Sequence, residues 1–373
     1  MKKIGLVTLF EADNFGTCLQ AYALRKKIID YGYDCDIIRF DRNLARPHTS
    51  RFETIKKIGI RQTFDILLSK KTIQAQKSKF SLFRKKHYTY SEYLYSSVAE
   101  VTNADLKYDA FVTGSDMVWS WESRAFLDYY FLKFAKNGKR ISFAPSFGNT
   151  NFTEEMEEYY SESIKGIDFC SCREKNGQRY ITEKLKKECI LAVDPTLMIS
   201  EREWEELIPE SFHGKKDRFG DIPASTYKKI EKLESDGYTI RFVPQMHSQY
   251  LYEKRKGNDA FGPIEFLTAF RDASFVITNT YHGLIFSLIF KKPFVMYHRD
   301  QGEHWNIHEE RMQSVLETLE LQERYIDFSD EIKKDYLQLD YEKVATLLQE
   351  QINQSGLFLC SSLNKATERE SST

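Results

Sequence analysis

A histidine followed by a glycine, His282-Gly283, stands between an apolar run at 273–277, broken only by Ser274, and a second apolar run at 284–290. The first run has the length of a buried strand. The second reads as a buried helix, and Pro293 opens a further strand. At such a strand-to-helix turn the helix N–H groups point outward and hold an anion without a metal. A histidine there serves as general acid or base, or else caps the helix or fills a core. Gly283 permits close backbone approach to a ligand. Thr278, Asn279 and Thr280 offer a ligand hydroxyl and amide contacts, or cap the helix.

Three further positions have the right chemistry. Arg173 lies just past an apolar stretch at 167–171. It grips a carboxylate or phosphate in bidentate fashion, or pairs with Glu174 or Asp168. Asp116 follows Gly114 and Ser115 and makes either a ligand contact or a turn. In Asn14-Phe15-Gly16, the glycine would let backbone approach a substrate, while Asn14 makes the turn; Gln20 lies one helical turn beyond. Asp194 precedes Pro195, and Asp-Pro favours turn initiation, a structural duty. No Walker loop, Gly-x-Gly-x-x-Gly, metal-binding triad or Gly-x-Ser-x-Gly is found, so no metal site is expected.

The elements that must position these residues alternate. Residues 4–10 form a strand, 17–29 a helix and 35–40 a strand, which begins a doubly wound parallel sheet. Strands follow at 108–113, 140–144, 167–171 and 188–193, with helices at 153–164 and after 172. After a linker at 209–220, a helix is expected at 225–235, a strand at 238–243, helices at 263–271 and 308–319, and a last helix from 331. Every distinctive loop follows a strand, which is where open α/β sheets bind ligands. The fold class is therefore α/β, with two Rossmann-like domains facing a cleft. The expected division is 1–205, with a helical insertion around 43–100, then 206–330, a C-terminal helix at 331–360 and a disordered polar tail at 361–373. Within the insertion, residues 70–86 hold seven Lys or Arg and no acid. They form a solvated helix face, or a basic surface for an anionic membrane or a diphosphate-linked acceptor.

The 373 residues suit two domains, and a net charge of −1 excludes bulk attraction to nucleic acid. None of the six cysteines forms a Cys-x-x-Cys pair, and several sit in apolar segments as small hydrophobes. No run is long enough to span a membrane. A strand follows Met1 almost at once, so no leader is expected and the cytoplasm is the expected setting.

Six segments, in order, resemble the polysaccharide pyruvyl transferase family. They are Asn14-Phe-Gly-Thr-Cys-Leu-Gln-Ala-Tyr-Ala-Leu24, Asp109-Ala-Phe-Val-Thr-Gly-Ser-Asp-Met-Val-Trp119, Ser146-Phe-Gly148, Arg173-Glu-Lys175, Val193-Asp-Pro-Thr-Leu197, and Thr280-Tyr-His-Gly-Leu-Ile-Phe-Ser287 with Lys292-Pro-Phe294. The resemblance implies a GT-B-like fold and transfer of the enolpyruvyl unit of phosphoenolpyruvate to sugar hydroxyls as a ketal, with no cofactor. It implies His282 as the catalytic residue, Arg173, Thr280 and Gly283 at the donor, and Asn14, Gly16 and Asp116 at the acceptor or lining the cleft. A glycan or lipid-linked oligosaccharide would be the acceptor, with peripheral attachment at the inner face of the membrane. The oligomeric state is left open.

The chain departs from the family pattern at three places. Thr280 stands where an Arg is common, so a basic donor ligand is either missing or supplied by Lys291, Lys292, Arg299 or Arg311. Met117 replaces a common Gln. Residues 214–223 lack the apolar run that opens the second domain in relatives, so no strand is expected there. Two other readings stand beside the first: a GT-B-type glycosyltransferase using a nucleotide sugar, and a non-catalytic member of the family.

Overall fold

The computed structural model describes residues 1–41, 60–212, 218–221, 239–244, 260–298, 309–327 and 329–368, with the backbone alone at 60–68 and 218–221. The first strand and helix form where the apolar spacing predicts them: β1 (Lys3–Val7), α1 (Phe15–Asp30) and β2 (Asp34–Phe40). They are joined by β3 (Tyr90–Tyr95), β4 (Ala110–Thr113) and β5 (Lys139–Ser142). The sheet order is β3-β2-β1-β4-β5, and every pair is parallel. β1 lies at the centre, with Ile4, Leu6 and Val7 wholly buried.

Beyond β5 the chain adds two very short strands, β6 (Ser171–Cys172) and β7 (Ile190–Leu191), paired in parallel. An Ile141–Phe169 bridge ties them to β5. Of the expected strands at 167–171 and 188–193, only these two-residue pieces are strand, and Arg173 and Asp194 follow them.

The insertion expected as helical is α2 (Ile60–His87) followed by β3, so its last part is an edge strand of the first sheet rather than helix. On α2, Phe80 and Phe83 are buried, while Lys70, Lys71, Lys77, Lys85 and Lys86 face solvent. Lys79 pairs with Glu265 at 2.5 Å and Arg84 with Asp13 at 2.8 Å.

The second sheet overturns one expectation. It contains β8 (Arg218–Asp221), β9 (Ile240–Phe242), β10 (Val276–Thr278), β11 (Phe294–Tyr297) and β12 (Tyr325–Ile326). Its order is β12-β11-β10-β8-β9, again wholly parallel. The segment expected to be linker therefore supplies an interior strand. Arg218-Phe219-Gly220-Asp221 carries one large apolar side chain, so a test based on apolar runs misses it. Backbone pairing to β9 and β10 on its two edges makes it a strand regardless. The helix expected at 225–235 lies outside the described residues.

Helix α3 (Glu154–Lys165) belongs to the first half, where Tyr160 packs on Phe131 and Phe147. Around the second sheet stand α4 (Pro263–Asp272), α5 (Tyr281–Ile289) and α6 (Glu310–Thr318). The two halves share one apolar core, which runs from Leu6, Leu24 and Val112 through to Phe266, Leu284 and Met296. Phe15 at the start of α1 stacks on Phe266 of α4, with centroids 5.0 Å apart at 10°. Trp204 joins Tyr22 of α1 to Phe286 of α5.

The last helix, α7, runs Tyr341–Thr367. It begins later than expected and continues through residues expected to be disordered. Its first residue lies on the second half, where Tyr341 Oη donates to the Lys292 carbonyl at 2.6 Å. Its far end lies on the first half. There Asn364 Oδ1 accepts from Tyr33 Oη at 2.7 Å, the Thr367 carbonyl accepts from Lys2 Nζ, and Leu363 is wholly buried. Ser361, Ser362 and Thr367 made this end look like a polar tail, but Leu359, Leu363 and Ala366 at helical spacing give it an apolar stripe. Among the described residues no helix is long and apolar enough to cross a membrane.

Candidate active site

The turn after β10 is built by threonines. Thr278 Oγ1 accepts from Thr280 N at 3.1 Å. Thr280 is the N-cap of α5, and its Oγ1 accepts from Gly283 N at 3.1 Å. A methyl group on Gly283 would overlap Thr278 Oγ1 and lie 2.7 Å from Thr280 Oγ1. Two of the three residues singled out for donor contacts therefore have a local duty that accounts for their type: Thr280 caps, and Gly283 lets the helix start sit on the strand end.

His282 is the second residue of α5, and its side chain is 12% exposed. It leaves the second half of the chain and meets the first. Its ring packs against Gly16, the second residue of α1. A methyl group on Gly16 would overlap Nδ1 and Cγ and stand 2.7 Å from Cε1. The N-termini of α1 and α5 therefore converge on one imidazole, and both present the positive end of a helix dipole. Asn14 is exposed and caps α1, with Oδ1 accepting from Thr17 N at 3.0 Å. Asp116 is buried and accepts from Thr17 Oγ1 at 2.8 Å. Its φ of 63° is a left-handed value that Asp adopts more readily than most residues.

The other nitrogen of His282, Nε2, lies 3.6 Å from Asp194 Oδ2. Asp194 is wholly buried. Its Oδ1 accepts from Thr196 N at 3.0 Å and Thr196 Oγ1 at 2.7 Å. Its Oδ2 also accepts from Arg173 Nη1 at 2.8 Å and faces Ser115 Oγ at 3.3 Å. Burial by itself would raise the Asp194 carboxyl. His282 next to it, then the Arg173 guanidinium and the Thr196 N–H, outweigh burial and hold it well below the usual carboxylate range.

Arg173 is itself buried, with its guanidinium 4.1 Å from the centre of the Tyr281 ring. Among the described residues its Nε and Nη2 have no hydrogen-bond partner. Glu174 Oε1 is 3.6 Å from Arg173 Nε. Glu174 is as deeply buried as Asp194 but behaves in the opposite way. Burial raises its carboxyl, and the lowering influences of Arg173, Ser146, Arg311 and the Phe147 N–H do not offset it. Of the basic residues considered as substitutes at position 280, Arg311 is at the site, with its guanidinium 5.6 Å from the Tyr281 ring. Lys291 pairs with Glu201 at 3.0 Å, and Arg299 lies outside the described residues. A cavity of about 40 Å³ reaches Arg173, Asp194 and Tyr281 from the side of Leu319 and Leu348.

Tertiary structure thus gathers His282, Gly16 and Arg173 around one carboxylate. Asp116 reaches the group through Thr17, and Asn14 shapes the start of α1. Asp194 and Glu174 were not read as site residues from the sequence. Asp194 looked like a turn former before Pro195, and its Oδ1 does cap the turn at Pro195–Met198. The usable signal was its place at the carboxyl end of a strand, shared with Arg173 and His282.

Several solved structures are similar to this chain in fold. The UDP-GlcNAc 2-epimerase of Methanocaldococcus jannaschii, in complex with UDP-GlcNAc and UDP, is 13% identical with a TM-score of 0.50; the match covers 98% of this chain and 100% of that one. A putative UDP-N-acetylglucosamine 2-epimerase from Listeria monocytogenes is 11% identical with a TM-score of 0.49, covering 99% and 98%. S. aureus TarM is 10% identical with a TM-score of 0.48, covering 99% and 100%. At these identities the likeness concerns the fold alone, an α/β architecture of GT-B type. No curated protein matches the sequence. The family model for polysaccharide pyruvyl transferase matches residues 14–300, which takes in Gly16, Asp116, Arg173, Asp194 and His282. The chain belongs to the polysaccharide pyruvyl transferase family.

Proposed function

We propose that this protein transfers the pyruvyl unit of phosphoenolpyruvate to two hydroxyls of a glycan sugar, leaving it as a cyclic ketal. The observation that supports this reading most is the meeting of His282 and Arg173 at two helix N-termini, inside the span matched by the family model. A proton delivered to the methylene carbon makes C2 of the donor electrophilic. One sugar hydroxyl adds to C2 and loses its proton. The second hydroxyl then displaces phosphate, which leaves with the electrons of its C–O bond. One donor and one diol give one ketal and one phosphate, with no redox step and no obligatory cofactor.

Such a reaction needs an acid/base and a grip on an anion. In this reading His282 moves the proton. Arg173 holds the donor's phosphate or carboxylate with its Nε and Nη2 edge, helped by the helix N-termini. Thr280 and Gly283 shape the donor turn. Asn14, Gly16 and Asp116, around the first turn of α1, line the acceptor side. The acceptor is a glycan or lipid-linked oligosaccharide in the cytoplasm. The exposed lysines of α2 provide a surface for anionic headgroups or a diphosphate link.

Incubation with carbon-labelled phosphoenolpyruvate and glycan or lipid-linked acceptors tests the reading. The expected result is label in the glycan and one phosphate released per ketal. Label transferred only from nucleotide sugars would assign a glycosyltransferase instead. Calorimetry with phosphoenolpyruvate should show binding that His282→Ala and Arg173→Ala weaken. Unchanged binding in both variants would remove the site assignment.

A further inference from the structure

We propose that Asp194 is the positioning residue of this site, holding the His282 imidazole in one tautomer while fixing Arg173 with the same oxygen. The proposal rests on the pyruvyl-transfer reading for its activity readout, but not for its spectroscopic one.

The two carboxylate oxygens have separate tasks. Oδ1 is occupied by Thr196 N and Oγ1, and a turn former before proline needs nothing more. Those two bonds also set the rotation of the carboxylate and so aim Oδ2. Oδ2 faces Arg173 Nη1 at 2.8 Å, Ser115 Oγ at 3.3 Å and His282 Nε2 at 3.6 Å. These partners follow three different strands: Ser115 after β4, Arg173 after β6 and His282 in the first turn of the helix after β10. A capping aspartate does not require such convergence, which joins the two halves of the chain.

The chemistry of the group sets the consequence. An ionised carboxylate only accepts hydrogen bonds, so it favours the imidazole form with its proton on Nε2. Nδ1, beside Gly16, is then the nitrogen left to exchange a proton. The 3.6 Å separation is longer than a hydrogen bond. Catalytic contacts are commonly long in unliganded sites and shorten when substrate arrives. The carboxylate is wholly buried, so its influence on His282 is weakly screened.

The experiment uses the full chain, with the eight histidines labelled with nitrogen-15 and His282 assigned by its absence in His282→Gln. The wild type should show a single Nε2–H tautomer for the neutral ring. Asp194→Asn keeps the shape and an acceptor for Thr196 but removes the charge. Its His282 signal should change to a tautomer mixture, and kcat should fall roughly 10²–10⁴-fold, the usual worth of an acid/base group. Thr196→Val removes one of the two bonds that aim Oδ2, so it should lower thermal stability and change the His282 signal less than Asp194→Asn does. A tautomer mixture in the wild type, or an unaltered His282 signal in Asp194→Asn, overturns the proposal. The wild-type spectrum decides this even if the variant fails to fold. If the wild type transfers nothing from phosphoenolpyruvate, the functional reading fails while the tautomer measurement still judges Asp194.

Discussion

The imidazole of His282 packs so closely against Gly16 that no side chain fits between them. One residue opens α1 in the first half, and the other opens α5 in the second. Gly16→Ala should therefore displace His282 and abolish transfer. Gly16 sits inside a helix and has no left-handed backbone to lose, so alanine suits the backbone there. The cost is overpacking, about 1–3 kcal/mol. Thermal unfolding of the double variant with His282→Ala checks this: removing the ring should restore the lost stability but not activity.

Arg173→Ala should destabilise the fold as well as impair the site. Arg173 is buried between Asp194 and Glu174. Removing one partner of a buried ion pair leaves the other uncompensated, a loss of roughly 3–5 kcal/mol. Urea unfolding should show a lower midpoint with an unchanged slope.

The two buried carboxylates predict opposite pH effects. Asp194 is depressed, so its contribution to stability is present above the ordinary Asp range of about 3.9 and is lost as pH falls through its folded value. Glu174 is raised, so its contribution is present below about 4.3 and is lost as pH rises through its folded value. Urea midpoints measured from acid to neutral pH should show both limbs. Glu174→Gln should remove the decline that begins above the ordinary Glu range and leave the acid limb intact.

A stop codon in place of Ser361 should be costly, although this segment is rich in polar residues. It deletes Leu363, which is wholly buried, and the Asn364–Tyr33 hydrogen bond. Burial of one such leucine is worth about 1.5–3 kcal/mol. Thermal unfolding should show a drop of several degrees, and a stop codon in place of Tyr341 should do more damage by releasing both halves.

Much of the architecture was legible in local pattern. Apolar runs such as 273–277 and helical spacing such as 17–29 report burial directly, because a side chain's face follows from its position in a strand or helix. The candidate site was legible in part. His282, Gly16 and Arg173 stand at strand or helix ends, where α/β folds place ligands. Arg218-Phe219-Gly220-Asp221 escaped because interior strands are also made by backbone pairing, which leaves no mark in side-chain hydropathy. Residues 361–367 escaped because five of the seven are Ser, Asn, Lys or Thr, and their burial depends on a surface supplied by Lys2 and Tyr33, more than 300 residues earlier.

By itself, then, the sequence determined the class of fold, the family and the short set of residues able to do chemistry. Tertiary structure alone decided that Asp194 is more than a turn former. Its neighbours Ser115, Arg173 and His282 are 79, 21 and 88 positions away, and only the meeting of three strand ends brings them to one oxygen. Spacing along a chain reports local geometry. A charge buried by three separate segments is a property of their packing.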